Sequence, residues 1–326
     1  MKKIGQLWLL SIMTVFLLAA CGGTTTGNPP KVDDAAKEDI VKEDVVEAGF
    51  PVTLTDAVGN ELTLEAAPKT IVSMTPSNTE ILFALGLGTE IIGVNDYDNY
   101  PAEALEKEKI GGEQFDVEKI VSMNPEMVFA HESGLNKGAE GLQQLRDAGI
   151  PVFVVTNAAN FEETYATITT IGQATGKVEE AKQIVADMTA KVEDVLAKTA
   201  TVENKKTVFV ETSPAPTIYT PGKNTFMDQM LGMIGAENIS ADQENWFMMD
   251  PEEIVKRNPD VIVVMYERPI TAIEDVYARA GFDSITAIKE KNVVQVEENI
   301  TSRTGPRLAE GLEAIAKAVY PEVFGE

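Results

Sequence analysis

The chain holds one cysteine, one histidine and two tryptophans in 326 residues. Those scarcities exclude a good deal. A lone cysteine, Cys21, forms no disulfide within the chain and no thiolate cluster. A lone histidine, His131, rules out two-histidine zinc motifs and the HExxH helix. A Ser-His-Asp triad would have to use His131, and no GxSxG turn supports it. There is no GxxxxGKS/T phosphate loop, and Gly86-Leu87-Gly88 followed by Gly93 misses the GxGxxG spacing. Basic residues are also scarce. Against 52 Asp and Glu stand 27 Lys and Arg, a formal charge of −25. So acidic a chain argues against nucleic acid as a partner and against a basic membrane-binding patch. No catalytic residue, resident metal or cofactor is expected.

What is present begins at the amino terminus. Met1-Lys2-Lys3 is a short positive start, and residues 4–20 carry no charge and are mostly apolar. A membrane-spanning helix needs roughly 20 apolar residues. This run is shorter and fits a signal-peptide core over residues 1–20. Leu18-Ala19-Ala20-Cys21 resembles the lipobox of bacterial lipoproteins. The resemblance implies cleavage before Cys21 and diacylglycerol on its sulfur, and so a lipid anchor on the outer face of the cell membrane. An ordinary signal peptide with an incidental cysteine is the alternative. Two or three acyl chains anchor stably where one does not. Residues 21–50 open with Gly, Thr, Asn and Pro and continue as an acidic stretch, KVDDAAKEDIVKEDVVEAG. They read as an acidic flexible tether, about 30 Å long on average if unstructured.

From Phe50 the pattern is α/β. A hairpin is expected around Gly59-Asn60, between Val52–Thr55 and Glu61–Leu64. Apolar runs at 70–74, 91–94, 127–130 and 152–155 read as strands, and 79–87, 117–123 and 138–148 show helical spacing. A second set follows residue 205: strands at 207–211, 261–265 and 293–296, and helices at 224–234, 251–257, 273–280 and 307–319. Such alternation argues for parallel sheets flanked by helices. Between the sets, residues 177–200 contain no Gly or Pro and place apolar residues at helical spacing. One helix of about 36 Å is expected there, with two helices as the alternative. The expected layout is an N-terminal lobe over 51–174, a linking helix over 175–203 and a C-terminal lobe over 204–326.

An internal echo relates the two lobes. DVEKIVSMNPEMVFA from Asp116 matches DPEEIVKRNPDVIVV from Asp250. Each reads as a capped helix, an Asn-Pro stop and a buried strand. Duplication and chance both remain open. In open α/β sheets, ligands bind beyond the carboxyl ends of the strands. The segments there carry Tyr97, His131, Tyr266 and Arg303, with Trp246 in a nearby loop. Facing one another across two lobes, these five would line a cleft for a large, partly apolar ligand.

The stretch IVSMTPSNTEIL from Ile71, then ALGLG and Gly93-Val-Asn-Asp-Tyr97, resembles the solute-binding proteins of cobalamin, ferric-siderophore and haem ABC importers. So do Gly235-Ala-Glu237-Asn-Ile239 and Arg303-Thr-Gly-Pro-Arg307. The resemblance spans about residues 51–322 and is nearest to the cobalamin-binding members. It implies two α/β lobes on one long helix, a monomer, and a corrinoid or ferric chelate as ligand. It also implies an ABC permease dimer with its ATPase as partner. By the same resemblance, Glu80 and Glu237 would dock on the permease. Gly112–Phe115 and Ala130–Glu132 stand where those members tend to carry tryptophan. A surface-anchored enzyme on a chelatase-like scaffold, and a sensor without a permease, are the alternatives from other classes.

Overall fold

The computed structural model describes residues 49–325. The signal segment, Cys21 and nearly all of the tether lie outside them. Two short strands come first. β1 (Val52–Thr55) and β2 (Glu61–Leu64) pair antiparallel, as the hairpin reading expected. Asp56 ties their turn, its carboxylate accepting from the backbone N–H of Val58 (3.1 Å) and Asn60 (2.8 Å). Gly59 supplies the positive φ of +83° that the turn needs.

The N-terminal lobe is built on β3 (Ile71–Ser73), β4 (Ile91–Val94), β5 (Glu108–Lys109), β6 (Met127–His131) and β7 (Val152–Val155). They run parallel in the order β5-β4-β3-β6-β7. β6 and β7 are buried along their whole length. Burial on both faces is why they read as unbroken apolar runs and not as alternating ones. The second half contains β8 (Thr207–Glu211), β9 (Tyr219–Pro221), β10 (Glu237–Asn238), β11 (Trp246–Met248), β12 (Val261–Val264) and β13 (Val293–Gln295). A parallel sheet of order β10-β8-β12-β13 forms the C-terminal lobe, and β9 and β11 make a separate antiparallel ribbon.

The linking helix is one helix, Val178–Thr199. Ala181, Met188, Val192, Val195 and Thr199 form its buried stripe. It packs on helices Phe161–Thr175 and Leu308–Val319, so one apolar core runs from the first lobe through the linker into the second. The echoed units share geometry as well as sequence. The Asp116 carboxylate accepts from Lys119 N–H (2.9 Å) and that of Asp250 from Glu252 N–H (2.8 Å). Asn124 and Asn258 end the two helices in the left-handed region, at φ 46° and 47°.

Helix Phe161–Thr175 is absent from the sequence reading. Threonine is a poor helix former, and Thr164, Thr167, Thr169, Thr170 and Thr175 weaken the pattern. Its start was legible all the same. Asn160 accepts from Glu163 N–H (2.8 Å), and the Glu163 carboxylate reaches back to Ala159 N–H (2.7 Å) and the Asn160 side-chain amide (2.7 Å), a close relative of the capping box. Among the described residues, no helix is long and apolar enough to cross a membrane.

Candidate functional site

Three neighbouring strands of the first lobe, β4, β3 and β6, end side by side. Past their carboxyl ends lie Asn95, Met74-Thr75 and His131, which line one cavity of about 280 Å³. Tyr97, Gly112, Phe115 and Leu142 complete much of its wall. The floor is locked by backbone-directed bonds. Asn95 donates to the Met74 carbonyl (2.9 Å) and its own side-chain oxygen accepts from Tyr97 N–H (3.0 Å). Tyr97 lies so close to Gly112 that a Cβ there would meet the ring at 3.0 Å. Tyr97 is 64% exposed, so its ring is held from behind and open in front.

His131 ends β6 and is buried. Its Nδ1 accepts from Ser133 N–H (3.3 Å) and lies 2.8 Å from the Ser133 hydroxyl. Burial pulls the imidazole pKa below its ordinary value, and the nearby Glu132 charge opposes this by less. The ring is therefore neutral at neutral pH.

The second lobe treats its strand tips differently. Sequence reasoning put Tyr266 in the cleft wall, and the structure corrects this. Tyr266 is buried, and its hydroxyl donates to Glu211 Oε1 (2.6 Å). Arg279 grips the same carboxylate with two bonds of 2.7 Å, and Gln295 donates to the Tyr266 carbonyl (2.6 Å). β8, β12 and β13 thus end in a satisfied polar plug with no group to spare. Burial and the Glu211 carboxylate push the Tyr266 hydroxyl pKa well above its usual range. The exposed aromatic surface of this lobe sits instead on the ribbon. Met248 faces Tyr219 across it, and Trp246 stands two residues along on the same face. All three are about half exposed. Tyr219 and Met248 were missed because β9 and β11 are three residues each, too short for a period to register.

Arg303 and Glu80, expected at the ligand and at the permease, hold each other across the lobes. The Glu80 carboxylate is 2% exposed and accepts from Arg303 Nη1 (2.8 Å), Arg307 Nη2 (2.8 Å) and Arg307 Nε (2.9 Å). Glu80 comes from the helix Pro76–Ala84 of the first lobe, and the arginines precede the helix Leu308–Val319 of the second. Arg303 also donates to Asn99 Oδ1 (2.8 Å) and to the Tyr97 carbonyl (3.3 Å). Arg307 stacks on Tyr100, 3.7 Å from the ring centre. One carboxylate thereby joins the lobes and steadies the loop that carries Tyr97. Glu237 is exposed at the edge strand β10.

Asp98 belongs to the same loop, its side chain almost fully buried, with the Thr79 hydroxyl and the Lys109 ammonium as the groups that favour its charge. Burial pushes its pKa up to about 6, although Thr79 and Lys109 pull the other way.

A two-lobed α/β body on one linking helix, with a cavity at the strand tips, defines a solute-binding protein. The comparisons place it. The periplasmic binding protein family matches residues 71–299, and the chain belongs to that family. It is 42% identical to the "Uncharacterized ABC transporter substrate-binding lipoprotein YvrC" of Bacillus subtilis, over 100% of both chains. It is 29% identical to a "Cobalamin-binding protein" of Halobacterium salinarum, over 83% of this chain and 74% of that one. A solved structure from Staphylococcus epidermidis, described as a possible iron-binding (periplasmic solute-binding) protein, matches with a TM-score of 0.71 at 35% identity. That match covers 78% of this chain and 99% of the other. The vitamin B12 binding protein of Vibrio cholerae shares the fold, with a TM-score of 0.68 at 22% identity over 79% and 99%.

Two predictions follow from the buried charges. Glu80→Gln leaves two arginines without their shared anion, and losing one partner of a buried pair costs about 3–5 kcal/mol. Urea unfolding should read a loss of that order, and a loss near zero would show that the lobes do not depend on this contact. Asp98→Asn should act the other way. A raised carboxylate pKa means that the folded chain binds the proton more tightly than the unfolded one. Stability therefore falls as pH rises from roughly 4 to about 6, and the full burden is present above that. The variant should gain about 1–3 kcal/mol at pH 7. That gain should vanish near pH 4, as read by melting at both values.

Proposed function

We propose that the chain is the extracytoplasmic binding lipoprotein of an ABC importer and that it captures a corrinoid of the cobalamin class. The observation that carries this reading is the placement of exposed aromatics on both lobes. Tyr97, beside His131, opens one strand-tip cavity, and Trp246 with Met248 and Tyr219 forms an apolar face on the other lobe. Flat, half-exposed rings held from behind suit a broad planar ligand. The relative named for cobalamin supports the corrinoid, and the one named as an ABC transporter lipoprotein supports the importer. Names of this kind favour capture over turnover, and so a binding protein over an enzyme. A ferric siderophore or haem is the second reading, favoured by the Staphylococcus relative described as possibly iron-binding.

On this reading the lipid on Cys21 holds the receptor at the membrane, where it meets the permease dimer and its ATPase as a monomer. Docking needs carboxylates that reach solvent. Glu237 qualifies and Glu80, enclosed by two arginines, does not. The internal repeat offers a symmetric pair. Glu118 and Glu252 are both exposed, each in the first turn of its echoed helix. Paired charges on two lobes fix register and speed encounter more than they add affinity.

The chain from Cys21 onward contains a single tryptophan, Trp246, because the other, Trp8, falls in the signal segment. Its fluorescence therefore reports on one wall of the proposed cleft alone. Saturable quenching is expected with cyanocobalamin, and quenching by neither cyanocobalamin, haemin nor any ferric siderophore would defeat the ligand reading. For docking, Lys should be placed at Glu118, Glu237 and Glu252, singly and together. Uptake by cells should fall steeply while ligand binding stays intact. Full uptake in the triple variant would remove these carboxylates from the interface.

A further inference from the structure

The one histidine of the chain is more than nine-tenths buried, and its Nε2 makes no hydrogen bond to any described residue. It lines the 280 Å³ cavity, among Met74, Phe115, Ala130 and Leu142. Its other nitrogen is committed. A backbone N–H can only donate, so the bond from Ser133 N–H requires a lone pair on Nδ1. A neutral ring with a bare Nδ1 carries its proton on Nε2. The Ser133 hydroxyl, 2.8 Å from the same Nδ1, can donate to that lone pair as well. His131 is the last residue of β6, and the chain turns at once into the short 3-10 helix Glu132–Gly134, which aims the Ser133 amide back at the ring.

Resting on the reading that this cavity receives the ligand, we propose that His131 meets it as a hydrogen-bond donor through Nε2–H. The site then selects a ligand that presents a carbonyl or similar oxygen inside a mostly apolar pocket. It selects against one whose metal seeks an imidazole lone pair. A metal ligand needs that lone pair on the nitrogen that faces the cavity, and here the proton occupies it. A neighbour that helps a histidine bind metal accepts a hydrogen bond from the ring nitrogen far from the metal. Ser133 N–H does the reverse and donates to it. Amide side arms around a macrocycle, or the oxygens of a chelate already saturated at its metal, provide the acceptor. Haem iron held by this histidine does not fit the arrangement.

Because the chain has only one histidine, protein labelled with ¹⁵N-histidine gives a single imidazole spin system. We expect Nδ1 at the shift of a bare nitrogen and Nε2 at that of a protonated one, at neutral pH and without ligand. The opposite tautomer overturns the proposal whether or not a ligand is known. With cyanocobalamin as probe, His131→Gln, which keeps an amide donor, should bind within about threefold of the parent. His131→Leu should lose about tenfold or more, since the ligand oxygen is buried unpaired. Equal affinity in all three proteins, with melting curves unchanged, refutes the donor role. With haemin as probe, no low-spin absorption spectrum that depends on His131 is expected, and its appearance would overturn the proposal. If the parent binds neither probe, the corrinoid and haem readings fall while the tautomer result still stands or fails by itself.

Discussion

One buried carboxylate ties the two lobes of this molecule together. Glu80 takes three charge-assisted bonds from Arg303 and Arg307, which belong to the opposite lobe. Charges this deep give little net stability by themselves, because desolvation offsets much of their attraction. Their value is positional. Arg303 passes the restraint on to Asn99 and to the Tyr97 carbonyl, so the lobe contact and the ligand loop share one anchor. The long helix and the continuous apolar core resist hinge motion from behind, and the clamp resists it from the front.

The architecture was legible because it is written in period and run length. Parallel strands buried on both faces appear as plain apolar runs, and 22 residues at helical spacing without Gly or Pro favour one helix over two. The Asp caps and Asn-Pro stops of the echoed units gave their helix limits to the residue. What the sequence concealed was partnership at long range. Tyr266 sits just past a strand tip as expected and Arg303 at the end of the short helix Glu298–Ser302, yet Glu211 and Arg279 enclose the first and Glu80 holds the second. Nothing local distinguishes an arginine that awaits a ligand from one that faces a carboxylate more than two hundred residues earlier. Glu80 is the same case, since the arginines that enclose its carboxylate come from the other lobe. The β9–β11 ribbon was invisible because three residues do not make a pattern.

The two lobes differ in how they meet a ligand. The first has a locked floor, a braced tyrosine and a buried histidine around a mostly apolar cavity. The second closes its strand tips with a buried ion pair and offers a ribbon of Tyr219, Trp246 and Met248 instead. That asymmetry suits a ligand that seats a polar arm in one lobe and lays an apolar face on the other. Asp98 sits in the braced loop as a group whose charge the fold tolerates at a cost. Protonation in acid removes that cost.

A crystal structure of the chain with its tightest-binding ligand tests the central claim most directly. The account predicts a ligand held between the Tyr97–His131 cavity and the Trp246–Met248 face, with the Glu80–Arg303–Arg307 contacts unchanged. A ligand seated elsewhere, or lobes parted at Glu80, would contradict it.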